Sequence, residues 1–226
     1  MIQVTGLSKN YGDKQALKNI NLRLERGRVY GIAGENGAGK TTLFRCIAGL
    51  ETCEGEIRAD KNPLKNHLGL LPTEPYFFSR ITGIEYIRLL CNARQKQAAD
   101  IESRNIFELP LKRYASTYST GMKKKLALMA ILLQDNDYFI LDEPFNGVDI
   151  QSNIVITELI LSLKQRNKIV LVSSHIFSTL HDTCDEIHML HEGTIQRSVQ
   201  KDGFGALEAE MKEASVGKKI DRLFKD

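Results

Sequence analysis

The chain of 226 residues contains no tryptophan, only five prolines and only four cysteines. The cysteines are scattered, and no two of them form a C-x-x-C pair. This spacing argues against a disulfide framework and against a zinc site, and it indicates reduced thiols. The four residues are Cys46, Cys53, Cys91 and Cys184.

Long apolar runs are also missing. No stretch approaches the roughly 18 apolar residues that span a bilayer. The first residues, 1–5, lack the basic start and apolar core of a secretion signal, so we expect a cytoplasmic protein. The net charge of +3 is too small to argue by itself for nucleic-acid binding, and we expect no nucleic-acid partner. A charged fraction of 26% is typical of a globular protein, and the length suits one large α/β domain or two small lobes.

The most informative stretch matches the phosphate-binding pattern G-x-x-x-x-G-K-[ST] at every fixed position. Its glycines let the backbone turn tightly and bring successive N–H groups against a phosphate. Lys40 can reach the β- and γ-phosphates of a nucleotide, and the Thr41 hydroxyl can ligate Mg²⁺. A predicted strand precedes the loop and a predicted helix follows it, and the N-terminus of that helix adds free donors. The loop consists of Gly34, Glu35, Asn36, Gly37, Ala38, Gly39, Lys40, Thr41 and Thr42.

Two adjacent acids follow the apolar run 138–141. A buried strand would deliver Asp142 and Glu143 to its carboxyl end, where open α/β sheets bind ligands. We expect Asp142 to hold Mg²⁺ through its water shell, and Glu143 to orient or deprotonate an attacking water. A strand that ends in a charged loop is common, so the two acids alone are weak evidence for a site. They become informative because the same chain contains a full phosphate loop.

A third motif opens the helix that leads into the acidic strand. Ser119 can cap this helix, whose first N–H groups are unpaired donors. Lys123, Lys124 and Lys125 crowd the first turn, where cations oppose the helix dipole. A bound polyanion would reverse that effect, and an ordinary solvated lysine face explains the run equally well.

The hydrophobic pattern predicts an α/β core interrupted by a helical insertion. We expect one domain over 1–226, with a core at about 1–74 and 135–200, a helical subdomain at about 75–134 and a helical tail at about 203–226. Amphipathic spacing within the insertion continues through Ile101 and Leu109. The predicted strands are 2–4, 22–24, 28–33, 54–58, 68–71, 138–141, 169–172 and a last core strand at 186–190, and the predicted helices outside the insertion are 42–49, 151–166 and 177–182.

The order of these motifs resembles the ATP-binding cassette (ABC) family of ATPases, over about residues 2–199. The resemblance implies an α/β fold, a P-loop NTPase core of ABC type with an antiparallel β subdomain and an inserted α-helical subdomain. It implies ATP and Mg²⁺ as cofactors, with Thr41 and Asp142 at the metal. Lys40, Glu143 and His175 would be catalytic; His175 would be the switch histidine, although a lone histidine after a strand is more often structural.

The same resemblance assigns the remaining contacts. Tyr11 would stack on adenine, and Ser119 and Gly121 would be the signature motif, with Asp149 in the D-loop. The signature departs from Leu-Ser-Gly-Gly-Gln because it is Tyr-Ser-Thr-Gly-Met here. Thr73 stands where the family has its Q-loop glutamine; it is expected to be too short to reach the metal, which leaves Glu74 as a substitute through a water.

The leading interpretation is the ATP-hydrolysing subunit of an ABC transporter, peripheral at the inner face of the cell membrane. The expected partners are a separate transmembrane permease subunit and a second ABC ATPase subunit, packed head to tail. The compact form and the stretch 71–75 resemble antibiotic-export and ABC-2-type subunits. The alternatives are a non-transport ABC protein that acts on ribosomes or DNA, or an unrelated phosphate-loop kinase or GTPase. The N-K-x-D motif of a GTPase is absent.

Overall fold

The computed structural model describes residues 1–210. Within them the chain forms nine strands, five α-helices and a further helical segment at 204–210. The strands are β1 (Ile2–Tyr11), β2 (Lys14–Leu24), β3 (Arg28–Ala33), β4 (Glu54–Ala59), β5 (Leu68–Leu71), β6 (Tyr138–Asp142), β7 (Ile169–Ser174), β8 (Glu186–His191) and β9 (Thr194–Gln200). The helices are α1 (Lys40–Ile47), α2 (Gly83–Asn92), α3 (Thr120–Leu132), α4 (Ile150–Gln165) and α5 (Phe177–Thr183).

The strands form two sheets. The larger sheet has the order β5-β6-β7-β3-β8-β9, and all its pairs are parallel except β8 with β9. The smaller sheet is antiparallel, with the order β2-β1-β4. The expected α/β fold class with an antiparallel β part is thus confirmed. Up to residue 210, no helix combines the length and the apolar character needed to cross a membrane.

Two hydrophobic cores cover the two faces of the large sheet, and the strand pleat assigns residues to them. Tyr138 and Ile140 pack with β1, β2 and α1 on one face. Phe139 and Leu141 pack with α2, α3 and α4 on the other. Central strands buried on both faces read as continuous apolar runs, which is why β6 and β7 could be located from the sequence.

The two helices of the predicted insertion, α2 and α3, lie between β5 and β6 in the chain. Helix α2 begins with a capping box in which Thr82 and Glu85 satisfy each other's backbone N–H groups. The amphipathic helix expected through Ile101 and Leu109 is wrong, because this segment forms turns. Asp100 and Glu108 both adopt positive φ angles of 51°, which a right-handed helix does not contain.

The strand predicted as the last one, β8, is followed by β9, which the sequence pattern did not identify. Glu192 and Gly193 make the tight turn between them with φ angles of 43° and 77°. Buried and exposed side chains do not alternate clearly in β9, because most of its residues are exposed or half-exposed. The predicted tail helix is seen for residues 204–210; its continuation at 211–226 lies outside the described residues.

Candidate functional site

The candidate site lies at the carboxyl edge of the large sheet. Strand β7 lies between β3 and β6, so the three segments that follow these strands meet at one edge. The phosphate-loop sequence follows β3, the two acids end β6, and His175 follows β7. The sheet order therefore brings together three motifs that are far apart in the sequence.

The phosphate loop wraps tightly between β3 and α1, and two of its glycines allow this. A Cβ atom on Gly34 would overlap the carbonyl oxygen of Leu190. Gly39 has a φ of 113°, and a Cβ there would lie 2.8 Å from the carbonyl oxygen of Ala16. Gly39 is also the N-cap of α1, and no side chain caps this helix. The first N–H groups of α1 are thus suited to an anion.

The Lys40 side chain is buried and lies against the backbone of this loop. Its ammonium donates to the carbonyl oxygens of Gly34 at 2.7 Å and Glu35 at 3.1 Å. It also lies 3.8 Å from Oε1 of Glu143. The cation therefore stands between the loop carbonyls and the carboxylate that we predict to be the general base.

Asp142 is buried, and three hydroxyl groups donate to its carboxylate. Thr41 and Thr73 both donate to Oδ2 at 2.7 Å, and Ser173 donates to Oδ1 at 2.5 Å. Thr73 was expected to be too short to reach the metal, and its contact with Asp142 was not foreseen. The end of β5 brings its hydroxyl to the same carboxylate oxygen that Thr41 contacts, because β5 pairs directly with β6.

The donor set around Asp142 fits Mg²⁺. It offers hydroxyl and carboxylate oxygens, the hard ligands that this ion prefers, and Mg²⁺ is usually held by one or two carboxylates together with substrate phosphates and water. Residues 1–210 contain no cluster of three or more His, Cys, Asp or Glu side chains that could hold a metal. A cation here would thus depend on phosphate oxygens for the rest of its coordination.

Glu143 is held in an unusual backbone conformation next to Asp142. Its φ of 51° is left-handed, which costs a non-glycine residue about 1–2 kcal/mol. Its N–H donates to Ser173 Oγ at 2.9 Å, and its Oε2 lies 2.9 Å from Nδ1 of His175. The carboxylate is therefore placed between the Lys40 ammonium and the His175 ring, at the end of a buried strand.

A cavity of about 650 Å³ runs from the phosphate loop to the aromatic ring of Tyr11. Tyr11 ends β1 and is 45% exposed, and the Lys9 ammonium lies 4.9 Å from its ring centroid. Sequence reasoning did not identify the cavity walls contributed by β2 and by the β8–β9 turn. The cavity is lined by Tyr11, Lys14, Gln15, Ala16, Lys18, Gly37, Gly39, Lys40, Thr41, Thr42, Glu192 and Gly193.

A second group of predicted nucleotide-binding residues, Ser119, Gly121 and Asp149, lies apart from the phosphate loop and does not line this cavity. Ser119 is the exposed N-cap of α3 and accepts from the Met122 N–H at 3.3 Å. A Cβ on Gly121 would lie 2.7 Å from the carbonyl oxygen of Gly147, so α3 approaches the loop after Glu143 closely. Asp149 caps α4 by accepting from the Ser152 N–H at 2.9 Å.

The lysine run at the start of α3 is not a uniform solvated face. Lys124 is buried and donates to two backbone carbonyls, those of Glu143 and Asn146. The Lys125 ammonium lies 3.2 Å from the Asp149 carboxylate. The hydrogen bonds from Ser152, followed by that from Lys125, hold the pKa of Asp149 below its usual range.

The chain is similar to ATP-binding proteins of known transporters. The family described as "ABC transporter" matches residues 17–146. The ABC transporter ATP-binding protein NatA of Bacillus subtilis (strain 168) is 34% identical over 215 residues, which is 86% of this chain and 87% of NatA. The bacitracin transport ATP-binding protein BcrA of Bacillus licheniformis is 33% identical over 218 residues, which is 89% of this chain and 70% of BcrA.

A solved structure described as the ATP-binding subunit of an ABC transporter superimposes with a TM-score of 0.81 at 26% identity, covering 99% of this chain and 98% of the other. The fold and the motifs define a phosphate-loop nucleotide hydrolase. The chain belongs to the ABC transporter family, as an ATP-binding and ATP-hydrolysing subunit.

Proposed function

We propose that this chain works as one of two ATPase cassettes packed head to tail, which together drive export through a separate transmembrane permease subunit. The observation that carries the proposal is the separation of two groups. Lys40, Glu143 and His175 converge at the sheet edge, whereas Ser119 is exposed at the start of α3 and its hydroxyl bonds within its own helix. A second cassette would bring its own signature to this chain's ATP.

The residues at the sheet edge support specific roles in hydrolysis. Phosphoryl transfer to water needs positioning and charge neutralisation more than covalent chemistry. Lys40 would neutralise the β- and γ-phosphates, Glu143 would accept a proton from the attacking water, and His175 would contact the γ-phosphate while orienting Glu143.

The Mg²⁺ ion would be held by Thr41 and Asp142, with the Thr73 hydroxyl on the same carboxylate oxygen. When bound, it supplies charge neutralisation of the phosphate oxygens. The protein's part is to fix Asp142, and the three donated hydroxyl hydrogen bonds do this in a buried setting.

An exposed aromatic pair after β5 supports docking of a membrane subunit. Tyr76 and Phe78 are 75% and 55% exposed, and their rings meet edge to face with centroids 5.5 Å apart. Exposed apolar patches commonly mark protein interfaces. Because NatA and BcrA are named as transport ATP-binding proteins, we assign this patch to a permease at the inner face of the cell membrane.

Mixing two defective chains tests the head-to-tail arrangement. Lys40→Ala removes the phosphate cation, and Ser119→Arg blocks the helix N-terminus that would face the partner's γ-phosphate. Each variant alone should hydrolyse little ATP. Together they leave one composite site whole, so partial Mg²⁺-dependent hydrolysis should return if one site suffices for turnover. Full hydrolysis by Ser119→Arg alone would show that the signature does not serve a partner's site.

Capture from membranes tests the permease. Tagged protein with Tyr76→Ser and Phe78→Ser should lose an integral membrane partner that the unchanged protein retains, and Tyr114→Ser, which removes another exposed aromatic, should keep it. Recovery of ribosomes or DNA instead of a membrane protein would favour the non-transport ABC alternative.

A further inference from the structure

Lys124 is a buried lysine whose ammonium bonds only to backbone in the described contacts. It lies in the second turn of α3 and is 2% exposed. Its Nζ donates to the carbonyl oxygen of Glu143 at 2.7 Å and to that of Asn146 at 2.9 Å. Lysine is almost never fully buried unless it is paired, so this position requires a physical reason.

Burial of the charged Lys124 ammonium costs free energy, which nearby carboxylates partly offset. Burial lowers the pKa of its ammonium, and the nearby carboxylates of Glu143, Asp142 and Glu74 act in the opposite direction. A lysine that served only to fill space could extend its ammonium to water. Here the ammonium is instead directed into the turn that begins at Glu143.

That turn is held in a conformation that needs support. Glu143 has a left-handed φ of 51°, and its carbonyl oxygen also accepts from the Asn146 N–H at 3.2 Å. Lys124 binds the carbonyls at both ends of this turn. Since the direction of the Glu143 side chain follows from its backbone, the ammonium fixes where the carboxylate lies relative to Lys40 and His175.

Three residues on one face of α3 contact the same segment. Gly121 approaches the carbonyl of Gly147, Lys124 binds the turn, and Lys125 lies 3.2 Å from Asp149 and 2.9 Å from the Ser152 hydroxyl. Positions three and four apart share a helix face. The beginning of α3 and residues 143–152 therefore pack as one unit.

We propose that Lys124 is a positioning residue for ATP hydrolysis, which sets the orientation of Glu143 by binding the Glu143 and Asn146 carbonyls. It acts through Glu143, because its ammonium donates to backbone carbonyls of the turn. Because Ser119 begins the same helix, a shift of α3 when the partner's ATP is bound would be transmitted to the base. This inference rests on the proposed role of Glu143 as the base.

The test compares Lys124→Met with Lys123→Met. Methionine keeps an unbranched stem of similar length and removes the donor, and Lys123 is a half-exposed neighbour on a different helix face. Lys124→Met should lower kcat about 100-fold, the usual cost of a misplaced catalytic group, with the ATP KM and Kd changed by less than about twofold. Lys123→Met should match the unchanged protein. Equal kcat values for the two variants would overturn the proposal.

A second variant separates hydrogen bonding from charge. Glutamine at 124 keeps two N–H donors without a charge. Lys124→Gln should recover at least about tenfold of the loss seen with methionine, since the carbonyls again have donors. If Lys124→Met fails to fold, this variant decides alone: a kcat as low as that of Glu143→Gln would refute the role of the hydrogen bonds.

Hydrogen–deuterium exchange on the nucleotide-free chain keeps this inference separate from the proposed function. Lys124→Met should speed amide exchange across 143–149 and leave β1 and β2 unchanged, because the bonds lost are local. Unchanged exchange across 143–149 would overturn the inference whatever the hydrolysis data show. If Lys124→Met speeds exchange across 143–149 but Glu143→Gln hydrolyses ATP at the wild-type rate, Lys124 still fixes the turn and the proposed role of Glu143 as the base is refuted.

Discussion

The sheet edge and the start of α3 carry the two halves of a nucleotide site, and they are built differently. At the sheet edge, Lys40, Asp142 and Glu143 are buried and satisfied by contacts within the chain. At the start of α3, Ser119 and Thr120 are exposed. Gly121 and Lys124 pack the same helix against the loop that follows Glu143.

This difference shows how the side chains of each half-site are held in position. Parallel strands in register place their carboxyl ends side by side, so the sheet edge is preset before any ligand binds. The helix start is placed by packing onto the loop 143–152 and presents unpaired donors outward. We therefore expect substitutions at the edge to affect the chain's own ATP, and a substitution of the exposed cap Ser119 to affect the assembly.

The largest effect is expected for Glu143→Gln. Loss of a general base should reduce hydrolysis about 10²–10⁴-fold, while ATP binding persists because Lys40 and the loop are intact. The two-cassette form should then accumulate with Mg²⁺-ATP, as size-exclusion chromatography would show. The control is Glu158→Gln, at an exposed position on α4. Hydrolysis at the wild-type rate in Glu143→Gln would exclude Glu143 as the base.

Ser119→Arg tests the other half of the comparison, the start of α3. Hydrolysis should fall about 100-fold through misplacement of the partner's phosphate, yet one nucleotide should still bind through the chain's own loop. Equilibrium titration and the ATP-dependent shift in size measure the two effects. Ser103→Arg in an exposed turn should change neither, and weaker binding of the chain's own nucleotide would contradict the separation.

Lys40→Ala should weaken ATP binding about 10–100-fold, because a charged hydrogen bond contributes about 1.5–3 kcal/mol. The fold should persist, since the two backbone hydrogen bonds that Lys40 donates lie within the loop itself. Nucleotide titration and circular dichroism check both points. Lys112→Ala, at an 85% exposed side chain, is the control, and undiminished affinity with normal hydrolysis would mean that the loop assignment is wrong.

The smallest effect is expected at the far end of the cavity. Tyr11→Ala should cost about 1–3 kcal/mol of nucleotide affinity, the usual range for aromatic stacking on a base. Stacking tolerates any purine, so ATP and GTP should compete within about an order of magnitude in the unchanged protein. A competition titration measures this, and strong exclusion of GTP would indicate a hydrogen-bonding pocket for the base.

Strands buried on both faces were the easiest elements to predict, and the largely exposed β4 was also predicted, at 54–58. β3 and β5 match the predicted spans 28–33 and 68–71, because flanking turns and continuous apolar runs define them. β9 was missed because its alternation is weak. Residues 101–109 have helical spacing but form turns, since Asn105 bonds both backbone groups of Leu109 and prevents the helix from continuing.

The sequence by itself determined the family, the phosphate loop and the acids at the end of β6, because these depend on residue types at short, fixed spacings. Only the tertiary structure decided which distant groups share a contact. Thr73 reaches Asp142 because β5 pairs with β6, and Ser173 reaches both acids because β7 is the next strand. Lys124 is buried against Glu143 because α3 packs on the following loop. Such contacts arise from sheet order and helix packing, which no local pattern encodes.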